Sequence, residues 1–512
     1  MLFDYDNKDK DSIYRYAKKL EGMTFREIID VYNKSPIKQY ENTQETNSSK
    51  IRESNIPYMA PNYIYNPNAK GQLGVILENC YFGYKPNSKQ EADFSNVGIE
   101  LKQTVIDKTK KGELRAGERL SITNISFDSP VEENFYQSHL WNKIKMILLV
   151  QYIRNKSVNR LDYRISFVNF FSPPEKDLII IRQDYEKIND KIKAGKAHEL
   201  SESDTLYLGA ATKGATAQKS MVPQYYGNHT LAKKRNYCYK QKYMNYVLHE
   251  YILKNNVPCE PIIQENELCN TTFEELITSK IGKYIGKSDK ELCKLFGVPY
   301  TNNKAQWNTL SFRMLDITGN HAEEFIKAGI EVKTIRIEEN GKIKENMSFA
   351  PFKFKELVKE EWESSTIHEY FDTTRFFFVL FKKSRDHYIL EKSKFWNMPY
   401  QDLNNIVYSG WKAIQDKIKQ GVSFHLKKKS NGKIEVENDL PKVKNNPILH
   451  IRPHAQKSAY LIHGLYTYGN IDRDADELPN GDYMTRQSFW IRNTYLLNQV
   501  IDEGKIYDNN ET

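Results

Sequence analysis

An internal repeat constrains the architecture of this chain more than any other feature of its sequence. The segment MTFREIIDVY near the start is echoed about half a chain later by TTFEELITSK. In the first copy Thr24 stands three residues before Glu27, which is the spacing of a capping box. Thr272 precedes Glu275 in the same way in the second copy. Both segments are therefore predicted to begin a helix, and the chain to contain two related units.

A second echo supports a tandem duplication, since EADFSNVGIELK (91–102) is followed by AEEFIKAGIEVK (322–333). With 512 residues the chain is too long for one ordinary hydrophobic core, and two domains of roughly 250 residues fit the usual range. We place the first domain at 1–255 and the second at 269–512. The segment between them, NVPCEPIIQENEL (256–268), contains two prolines and is predicted to be a linker.

Apolar runs indicate that both halves are α/β. DLIIIRQ (177–183) and RFFFVLF (375–381) are typical of strands, whereas NKIKMILLVQYI (142–153) is typical of a helix. The stretch 39–70, rich in Asn, Ser, Pro and Tyr, is predicted to be a loop. The basic stretch 424–446 is interpreted as a solvated hairpin in preference to a DNA clamp.

Composition argues against several classes of protein. Mean hydropathy is −0.70, no stretch approaches the roughly 20 apolar residues of a spanning helix, and the N-terminus lacks the apolar core of a signal peptide. Five scattered cysteines without a C-x-x-C pair favour neither a disulfide framework nor a zinc site, so a cytoplasmic location is expected. A net charge of +9 is compatible with nucleic-acid binding without establishing it.

A candidate active site lies in the first of the echoed segments. VGIELKQTV alternates as a strand does, so Glu100 and Lys102 point to one face. Asp93 precedes this strand, and a bend at Gly98 can return its carboxylate to Glu100. Two carboxylates suit Mg²⁺, and a lysine beside them can orient water and neutralise charge on a phosphate. The alternative is an exposed strand whose Glu and Lys face solvent, because D-x6-E-x-K is a short motif.

The surrounding sequence favours the functional interpretation. KGQLGVILENCYFGYKPNSKQEADFSNVGIELKQT resembles the metal-binding segment of the MutH mismatch-repair endonuclease family. The resemblance implies the restriction-endonuclease-like PD-(D/E)xK fold, a mixed sheet flanked by helices, present here as two tandem domains. It also implies that Asp93 and Glu100 are the Mg²⁺ ligands. Lys102 becomes the catalytic lysine and Glu78 a further active-site acid.

Two later segments match the same family in the same order. QSHLWNKIKMILLV resembles its S-H-x-x-x-K-x-K segment, which implies Lys143 as a second active-site lysine, with Lys145 as the competing choice. LYLGAATKGATAQK resembles its loop that reads DNA in the major groove, which places Lys213 at a base contact. Ala211 and Thr212 replace the family's Arg-Pro at this loop, which leaves the mode of reading open.

A third match, KRNYCYKQKYMNYVL, resembles the family's C-terminal aromatic-lysine segment. The resemblance places Tyr239 near the DNA, with Lys240 and Lys242 as phosphate contacts. The alternative is an amphipathic helix with a basic face.

The second half resembles that of the Sau-type restriction endonucleases, in which a MutH-like domain binds DNA as an effector. Glu331 and Lys333 repeat the first copy, but Glu324 replaces its aspartate. The counterparts of the further acid and of the second lysine fall near Thr309 and Thr373. An extra methylene displaces a carboxylate by about 1 Å, and misplacement of that size can cost about a hundredfold in rate. The second site is therefore predicted to be inactive.

The DNA-reading loop of the second half is retained. ILHIRPHAQKS carries Arg452, Pro453 and His454 in the family's I-R-P-x-A pattern. The resemblance therefore implies that Arg452 and His454 contact DNA. The alternative for Arg452 is an ion pair with a nearby acid.

The combined prediction is a type II restriction endonuclease. The resemblance implies Mg²⁺-dependent double-strand cleavage at GATC, before the G, with the C-terminal domain binding a second site as an allosteric effector. It also implies self-association on DNA that carries two sites. A cognate DNA methyltransferase is expected in the same restriction-modification system, although not as a stable partner. Two alternatives remain: a methyl-directed MutH-like nicking endonuclease, and a non-catalytic two-lobed DNA-binding protein.

Overall fold

The part of the chain that the computed structural model describes comprises residues 3–34, 71–84, 91–213, 220–264, 266–343, 346–430, 432 and 434–501. The chain divides into two compact units. The first contains residues 1–259 together with 326–329, and the second contains 260–325 and 330–512. The predicted loop at 39–70 lies outside the described residues. In the described ranges no helix is long and apolar enough to cross a membrane.

The division after Cys259 falls inside the segment 256–268 that was predicted as a linker. The second part of this segment is packed rather than extended. Ile262 is 1% exposed and Leu268 is 4% exposed. From Glu260 onward the segment therefore belongs to the folded second unit.

The strands of the first unit form a mixed central sheet with smaller antiparallel sheets. They are β1 (Glu100–Lys108), β2 (Leu114–Ala116), β3 (Leu120–Ile125), β4 (Ile147–Ile153), β5 (Arg164–Phe171), β6 (Leu208–Thr212), β7 (Met221–Pro223), β8 (Leu231–Lys233) and β9 (Arg235–Tyr239). The central sheet has the order β2-β1-β4-β5, in which β1 and β4 are parallel and the outer pairs are antiparallel. A second sheet has the antiparallel order β3-β9-β6, and β7 pairs with β8.

The central position of β4 corrects one of the predictions. A helix was predicted over 142–153, but the helix ends at Ile144 and strand β4 follows. All residues of β4 from Ile147 to Tyr152 are buried. A parallel strand covered on both faces is continuously apolar instead of alternating, so its sequence resembles that of a buried helix.

Helices pack against the sheets of the first unit. They are α1 (Lys10–Lys18), α2 (Phe25–Asn33), α3 (Gln72–Ile76), α4 (His139–Ile144), α5 (Glu175–Lys193) and α6 (Gln241–Val247), with π-helical continuations at Leu77–Phe82 and Leu248–Ile252. The capping box predicted at Thr24 forms at the start of α2. Phe25 and Ile76 share one buried core with Leu101 and Val150 of the sheet, which fixes the position of β1.

The run DLIIIRQ is helical, so the strand predicted at 177–183 is wrong. It lies within α5, whose first turn contains Glu175 and Asp177 directly after Pro174. Acidic side chains in a first turn stabilise a helix through its dipole. A short apolar run alone does not distinguish a strand from a buried stretch of helix.

The second unit repeats the central topology of the first. Its strands are β10 (Glu331–Ile337), β11 (Met347–Pro351), β12 (Phe376–Ser384), β13 (His387–Trp396), β14 (Phe424–Lys428), β15 (Ile434–Asn438), β16 (Leu449–Pro453), β17 (Tyr460–Ile462), β18 (Tyr466–Tyr468), β19 (Ala475–Glu477), β20 (Tyr483–Thr485) and β21 (Gln487–Ile491). β10 and β12 are parallel and β13 is antiparallel to β12, as β1, β4 and β5 are in the first unit. The strand predicted from RFFFVLF is confirmed as β12.

The helices from Phe273 onward complete the repeat. They are α7 (Phe273–Gly282), α8 (Asp289–Phe296), α9 (Lys304–Arg313), α10 (Glu323–Ala328), α11 (Phe354–Leu357), α12 (Thr366–Thr373), α13 (Tyr408–Gln420), α14 (Ile471–Asp474) and α15 (Asn493–Ile501), with a π-helical segment at Asp402–Val407 before α13. The capping box predicted at Thr272 forms at the start of α7.

The basic stretch at 424–446 contains the exposed antiparallel pair β14–β15, in keeping with the predicted hairpin. Two of its lysines face glutamates across the pair. Lys427 lies 3.6 Å from Glu437, and Lys429 lies 3.1 Å from Glu435. These charges are thus partly neutralised within the hairpin.

Candidate active site

The turn before β1 brings Asp93 beside Glu100. Gly98 has a φ of +67°, a conformation that side-chain-bearing residues rarely adopt. Beyond this turn, Asp93 Oδ2 accepts a hydrogen bond from the backbone N–H of Leu101 at 2.9 Å. The backbone N–H of Asp93 donates to Glu100 Oε2 at 3.2 Å. The bend expected from the glycine is present, and it makes the two acidic residues neighbours.

Glu100 is enclosed, and lysine amines hold both of its carboxylate oxygens. Its exposed fraction is 1%. Lys102 Nζ donates to Oε1 at 2.6 Å. Lys143 Nζ donates to Oε1 at 3.1 Å and to Oε2 at 3.0 Å. A carboxylate is tolerated in so dry a place only with charged partners of this kind, so the three side chains form one interdependent cluster.

Helix α4 positions Lys143 in this cluster. The hydroxyl of Ser138 caps the start of the helix, and Lys143 lies in its last turn. The amine of Lys143 also donates to the backbone carbonyl of Glu91 at 2.9 Å. Lys145 is the C-terminal cap of α4, and its side chain lies near Gly98. Of the two lysines left open by the sequence, the structure thus brings Lys143 to Glu100.

Burial raises the pKa of the two other acids of the cluster. The pKa of Glu78 rises to about 7, because of burial first and of repulsion from Asp93 second. The pKa of Asp93 rises to about 6 through burial and repulsion from Glu100. The nearby lysines lower both values by less than burial raises them. Buried acids with raised pKa values are found at functional sites more often than on ordinary surfaces.

The donor set fits a hard divalent cation. Mg²⁺ is usually held by one or two carboxylates, with water and substrate phosphate completing an octahedron. Asp93 and Glu100 supply two such carboxylates at the head of β1. Within the described ranges no group of three or more His, Cys, Asp or Glu side chains forms a metal cage. Water and phosphate would complete the octahedron, and a cation would relieve the repulsion from Glu100, which adds to burial in raising the pKa of Asp93.

Cation binding at this cluster is expected to compete with protons. A carboxyl group with a pKa of about 6 is roughly 90% protonated at pH 5 and roughly 10% protonated at pH 7. Only the charged form binds the cation, so the affinity for Mg²⁺ should rise about tenfold from pH 5 to pH 7. Isothermal titration of the protein with Mg²⁺ at the two pH values measures this change.

The matched control for this titration is the exposed Glu113, which follows β1. Glu113→Gln should show the same rise as the wild-type protein, whereas Asp93→Asn should bind weakly and with a flatter pH profile. An affinity that stayed constant or fell between pH 5 and pH 7 would contradict Asp93 as a ligand.

Tyr84 lies near the carboxyl cluster and was not predicted from the sequence. Its hydroxyl oxygen is buried and has no hydrogen-bond partner among the described residues. Burial, followed by repulsion from Asp93 and Glu78, raises the pKa of this phenol well above its ordinary value. It therefore stays a neutral donor. No spacing in the sequence distinguishes it from nearby Tyr81, and only the tertiary structure separates the two.

Lys213, a predicted DNA contact, lies at the surface of the first unit. It directly follows β6 and is exposed. Its Nζ donates to the side-chain Oδ1 of Asn124 at 2.5 Å. The rest of the matching loop, at 214–219, lies outside the described residues.

Tyr239 is placed in the interior, which contradicts the prediction that it contacts DNA. It ends β9, is 0% exposed, and its ring packs 5.2 Å from that of Tyr243. Lys240 is 3% exposed, and its Nζ donates to the carbonyl oxygen of Thr205 at 2.5 Å. Both side chains are used in packing at the strand end and cannot reach a phosphate from there. Lys242 is exposed on α6.

The second unit retains the strand but rearranges the acids. Glu331 and Lys333 form an ion pair at 2.9 Å, with roughly a third of each side chain exposed. Glu324 is 6% exposed. Its oxygens accept backbone N–H groups from Ile262 at 2.9 Å and from Ile263 at 3.2 Å. Its carboxylate thus holds the main chain, and burial raises its pKa.

A tyrosine takes the place of the second lysine. Counted from the serine cap of each helix, Tyr370 on α12 corresponds to Lys143 on α4. The hydroxyl of Tyr370 donates to Glu331, and burial raises the pKa of this phenol. The counterpart predicted near Thr373 is therefore Tyr370, three residues earlier. Thr309, on α9, carries no charge, so the second unit lacks the further acid at that position.

Arg452 and His454 are exposed at the end of β16. The guanidinium of Arg452 lies 5.8 Å from the ring centroid of Trp490. His454 Nδ1 lies 2.9 Å from the hydroxyl of Ser488. Among the described residues no acid forms an ion pair with Arg452, so its charge is oriented by the ring and faces solvent.

Comparison with known proteins gives the family. The sequence profile of the DNA mismatch repair enzyme MutH matches residues 82–184 and again 315–407. The type II restriction enzyme Sau3AI of Staphylococcus aureus is 31% identical over 471 residues, which cover 85% of this chain and 93% of that protein. The DNA mismatch repair protein MutH of Escherichia coli (strain K12 / DH10B) is 28% identical over 153 residues, or 29% of this chain and 63% of that protein.

The two matches to one profile confirm the predicted duplication of a MutH-like domain. The similarity to the restriction enzyme extends through both halves, whereas the similarity to the repair enzyme covers a single stretch. The chain therefore belongs to the MutH-like type II restriction endonucleases, which are site-specific deoxyribonucleases.

Proposed function

We propose that the first unit cleaves both strands of DNA at GATC, before the G, in a Mg²⁺-dependent reaction. The observation that carries this proposal is the cluster in which Lys102 and Lys143 hold Glu100. Asp93 completes it by its hydrogen bonds at the start of β1. The GATC site is carried over from the resemblance to Sau-type enzymes. The enzyme would work in the cytoplasm, beside a cognate methyltransferase that is not a stable partner.

Each side chain of the cluster has a distinct part in hydrolysis. Asp93 and Glu100 would hold Mg²⁺, whose charge would stabilise the phosphate in the transition state. Lys102 Nζ can orient the attacking water and donate to a phosphate oxygen. The water oxygen bonds to phosphorus, the bond from phosphorus to the 3′ oxygen breaks, and that oxygen takes a proton. Glu78, with a pKa of about 7, is partly charged at neutral pH and can accept the proton of the water.

Lys143 supports this chemistry from inside the protein. It is 7% exposed and donates to both oxygens of Glu100. It therefore fixes the direction in which this carboxylate presents its remaining lone pairs. A carboxylate held this firmly loses little freedom on binding a cation, which is the benefit of preorganisation.

We propose that the second unit binds a further GATC site and stimulates cleavage without cutting. Both carboxylate oxygens of Glu324 accept main-chain N–H groups, which supports a structural role for this acid. Arg452 is exposed, and a planar guanidinium can donate to O6 and N7 of a guanine at once. Because each strand of GATC contains one guanine, the site offers such a contact on both strands. Two molecules would associate on DNA that carries two sites.

Arg452→Ala is expected to weaken the second site selectively. Loss of one base contact costs about 1–3 kcal/mol, or roughly tenfold to a hundredfold in affinity. Cleavage of a plasmid with two GATC sites should therefore slow towards the rate of a plasmid with one site. Lys427→Ala, in the β14–β15 pair, is the matched control and should leave both rates unchanged. Equal slowing of both plasmids by Arg452→Ala would speak against a separate effector site.

Digestion of a plasmid with Mg²⁺ tests the proposed function. The expected product is linear DNA from cleavage of both strands. Nicked circles alone would favour the methyl-directed nicking activity. Binding of GATC duplex without cleavage in Mg²⁺ or Mn²⁺ would favour the non-catalytic DNA-binding protein.

A further inference from the structure

Helix α4, which carries Lys143, begins with a histidine whose ring is held on both sides. His139 is 9% exposed. Its Nδ1 contacts the carboxylate of Glu132, and its Nε2 lies 2.9 Å from the backbone carbonyl oxygen of Asn124. A carbonyl oxygen can only accept, so Nε2 is the N–H donor in the contact with Asn124. The ring thus links the start of α4 to strand β3.

Asn124 accepts hydrogen bonds from two side chains at the same time. Its backbone carbonyl accepts from His139, while its side-chain Oδ1 accepts from Lys213 Nζ at 2.5 Å. Strand β3, which contains Asn124, pairs with β9, and β9 pairs with β6, which ends at Thr212. One residue therefore contacts both the lysine proposed to read DNA and the helix of the buried lysine.

We propose that His139 is a positioning residue that couples engagement of DNA by Lys213 to the placement of Lys143. The inference rests on the proposed function, because it takes Lys213 as a base contact and Lys143 as part of the cleavage site. On cognate DNA the amine of Lys213 leaves Asn124 for a base. A shift of β3 then reaches α4 through the contact from the His139 ring to the carbonyl of Asn124.

The geometry of α4 carries such a shift to the catalytic cluster. His139 and Lys143 are four residues apart and lie on the same face of the helix. Lys143 donates to both oxygens of Glu100, so a movement of the helix changes the direction of that carboxylate. Displacements of about 1 Å at such a group can alter a rate about a hundredfold.

The surroundings of the ring permit a small movement while anchoring its acidic partner. A cavity of about 150 Å³ lies beside His139 and is also lined by Tyr185 and Asn189. Tyr185 donates its hydroxyl to the backbone carbonyl of Glu132 at 2.6 Å, and Asn189 donates its amide there at 3.0 Å. The backbone of Glu132 is thus held in place, and we expect the contact with Asn124 to be the link that changes.

Two substitutions of equal length isolate this link. Glutamine at His139 loses the ring but retains an N–H donor that can reach the carbonyl of Asn124. Methionine fills similar space in a helix but has no donor. His139→Gln, His139→Met and the wild-type protein are compared for duplex affinity in Ca²⁺ and for single-turnover cleavage of bound GATC duplex in Mg²⁺. Asn142→Ala, an exposed position on α4, is the control and should match the wild type.

We expect His139→Met to slow cleavage about tenfold or more while its Kd stays within about threefold of the wild-type value. His139→Gln should stay within about threefold of the wild type in both measurements. Equal cleavage rates for the two variants, or a loss of affinity by His139→Met as large as its loss of rate, would overturn the inference. A wild-type protein that bound the duplex without cleaving it would instead reject the proposed function.

If His139→Met is too unstable to assay, hydrogen exchange of the wild-type protein tests the proposed coupling between β3 and α4. Amides of β3 and α4 should gain protection together when cognate duplex is added in Ca²⁺, and a duplex with an altered site should give neither change. Protection confined to β3 would overturn the coupling.

Discussion

Replacement of Glu100 by glutamine is expected to lower the single-turnover cleavage rate at least about a thousandfold. Glutamine has the shape of glutamate, but its amide removes a charged metal ligand. Its NH₂ group would also face amines of Lys102 or Lys143 that now donate to the carboxylate. Duplex affinity in the absence of cleavage should stay within about threefold, because Glu100 is itself only 1% exposed.

The matched control for this experiment lies at the corresponding strand position of the second unit. Glu331→Gln should leave the cleavage rate within about twofold of the wild-type value, because its ion pair with Lys333 is partly exposed and such pairs contribute little. If Glu331→Gln abolished cleavage as completely as Glu100→Gln, the second unit would also contain a working site.

Lys143→Met is expected to reduce cleavage by about a hundredfold or more. Methionine fills the space of the lysine stem but leaves Glu100 with one ammonium partner instead of two. Removing one partner of a buried ion pair also costs stability, typically about 3–5 kcal/mol. The melting temperature should therefore fall, and cleavage is measured below the melting range of the variant.

Lys145→Met provides the comparison. Lys145 is the C-terminal cap of the helix that contains Lys143, and it is not among the residues that contact Glu100. Its cleavage rate should stay within about threefold of the wild-type value. The reverse result, a strong loss for Lys145→Met and a weak one for Lys143→Met, would assign the second active-site lysine to Lys145.

Local rules explain why much of the site was predictable. The capping boxes at Thr24 and Thr272 need only a hydroxyl and a glutamate three residues apart, and both form. The alternation around Glu100 placed its carboxylate and the Lys102 amine on one face, where they meet at 2.6 Å. Gly98 marked the bend because only glycine readily adopts its positive φ.

Features that depend on distant packing were not predictable in the same way. The aromatic-lysine segment placed Tyr239 beside DNA, but its ring is buried against Tyr243. The resemblance preserved the position of the residue in the chain and not the direction of its side chain. The contact of Tyr370 with Glu331 was likewise not predicted. Because α12 is longer than α4, an alignment based on the following strands gives a position later in the chain than Tyr370.

The two copies differ in the use of the acid that precedes the first strand of each central sheet. In the first unit Asp93 bonds to the main chain at Leu101, the neighbour of Glu100. In the second unit Glu324 reaches instead to the main chain of Ile262 and Ile263. Glu324 thus organises a chain segment, whereas we propose that Asp93 organises a metal site. We propose that the second unit meets DNA through the exposed Arg452 instead.

The ends of the cleaved DNA report most directly on whether one working centre per chain cuts both strands at GATC. A plasmid is digested in Mg²⁺ by the wild-type protein, by Glu100→Gln and by Glu331→Gln, and the ends are sequenced. We expect linear products with 5′ extensions of sequence GATC from the wild type and from Glu331→Gln, and none from Glu100→Gln. Ends at another sequence, nicked circles alone, or continued cleavage by Glu100→Gln would contradict this assignment.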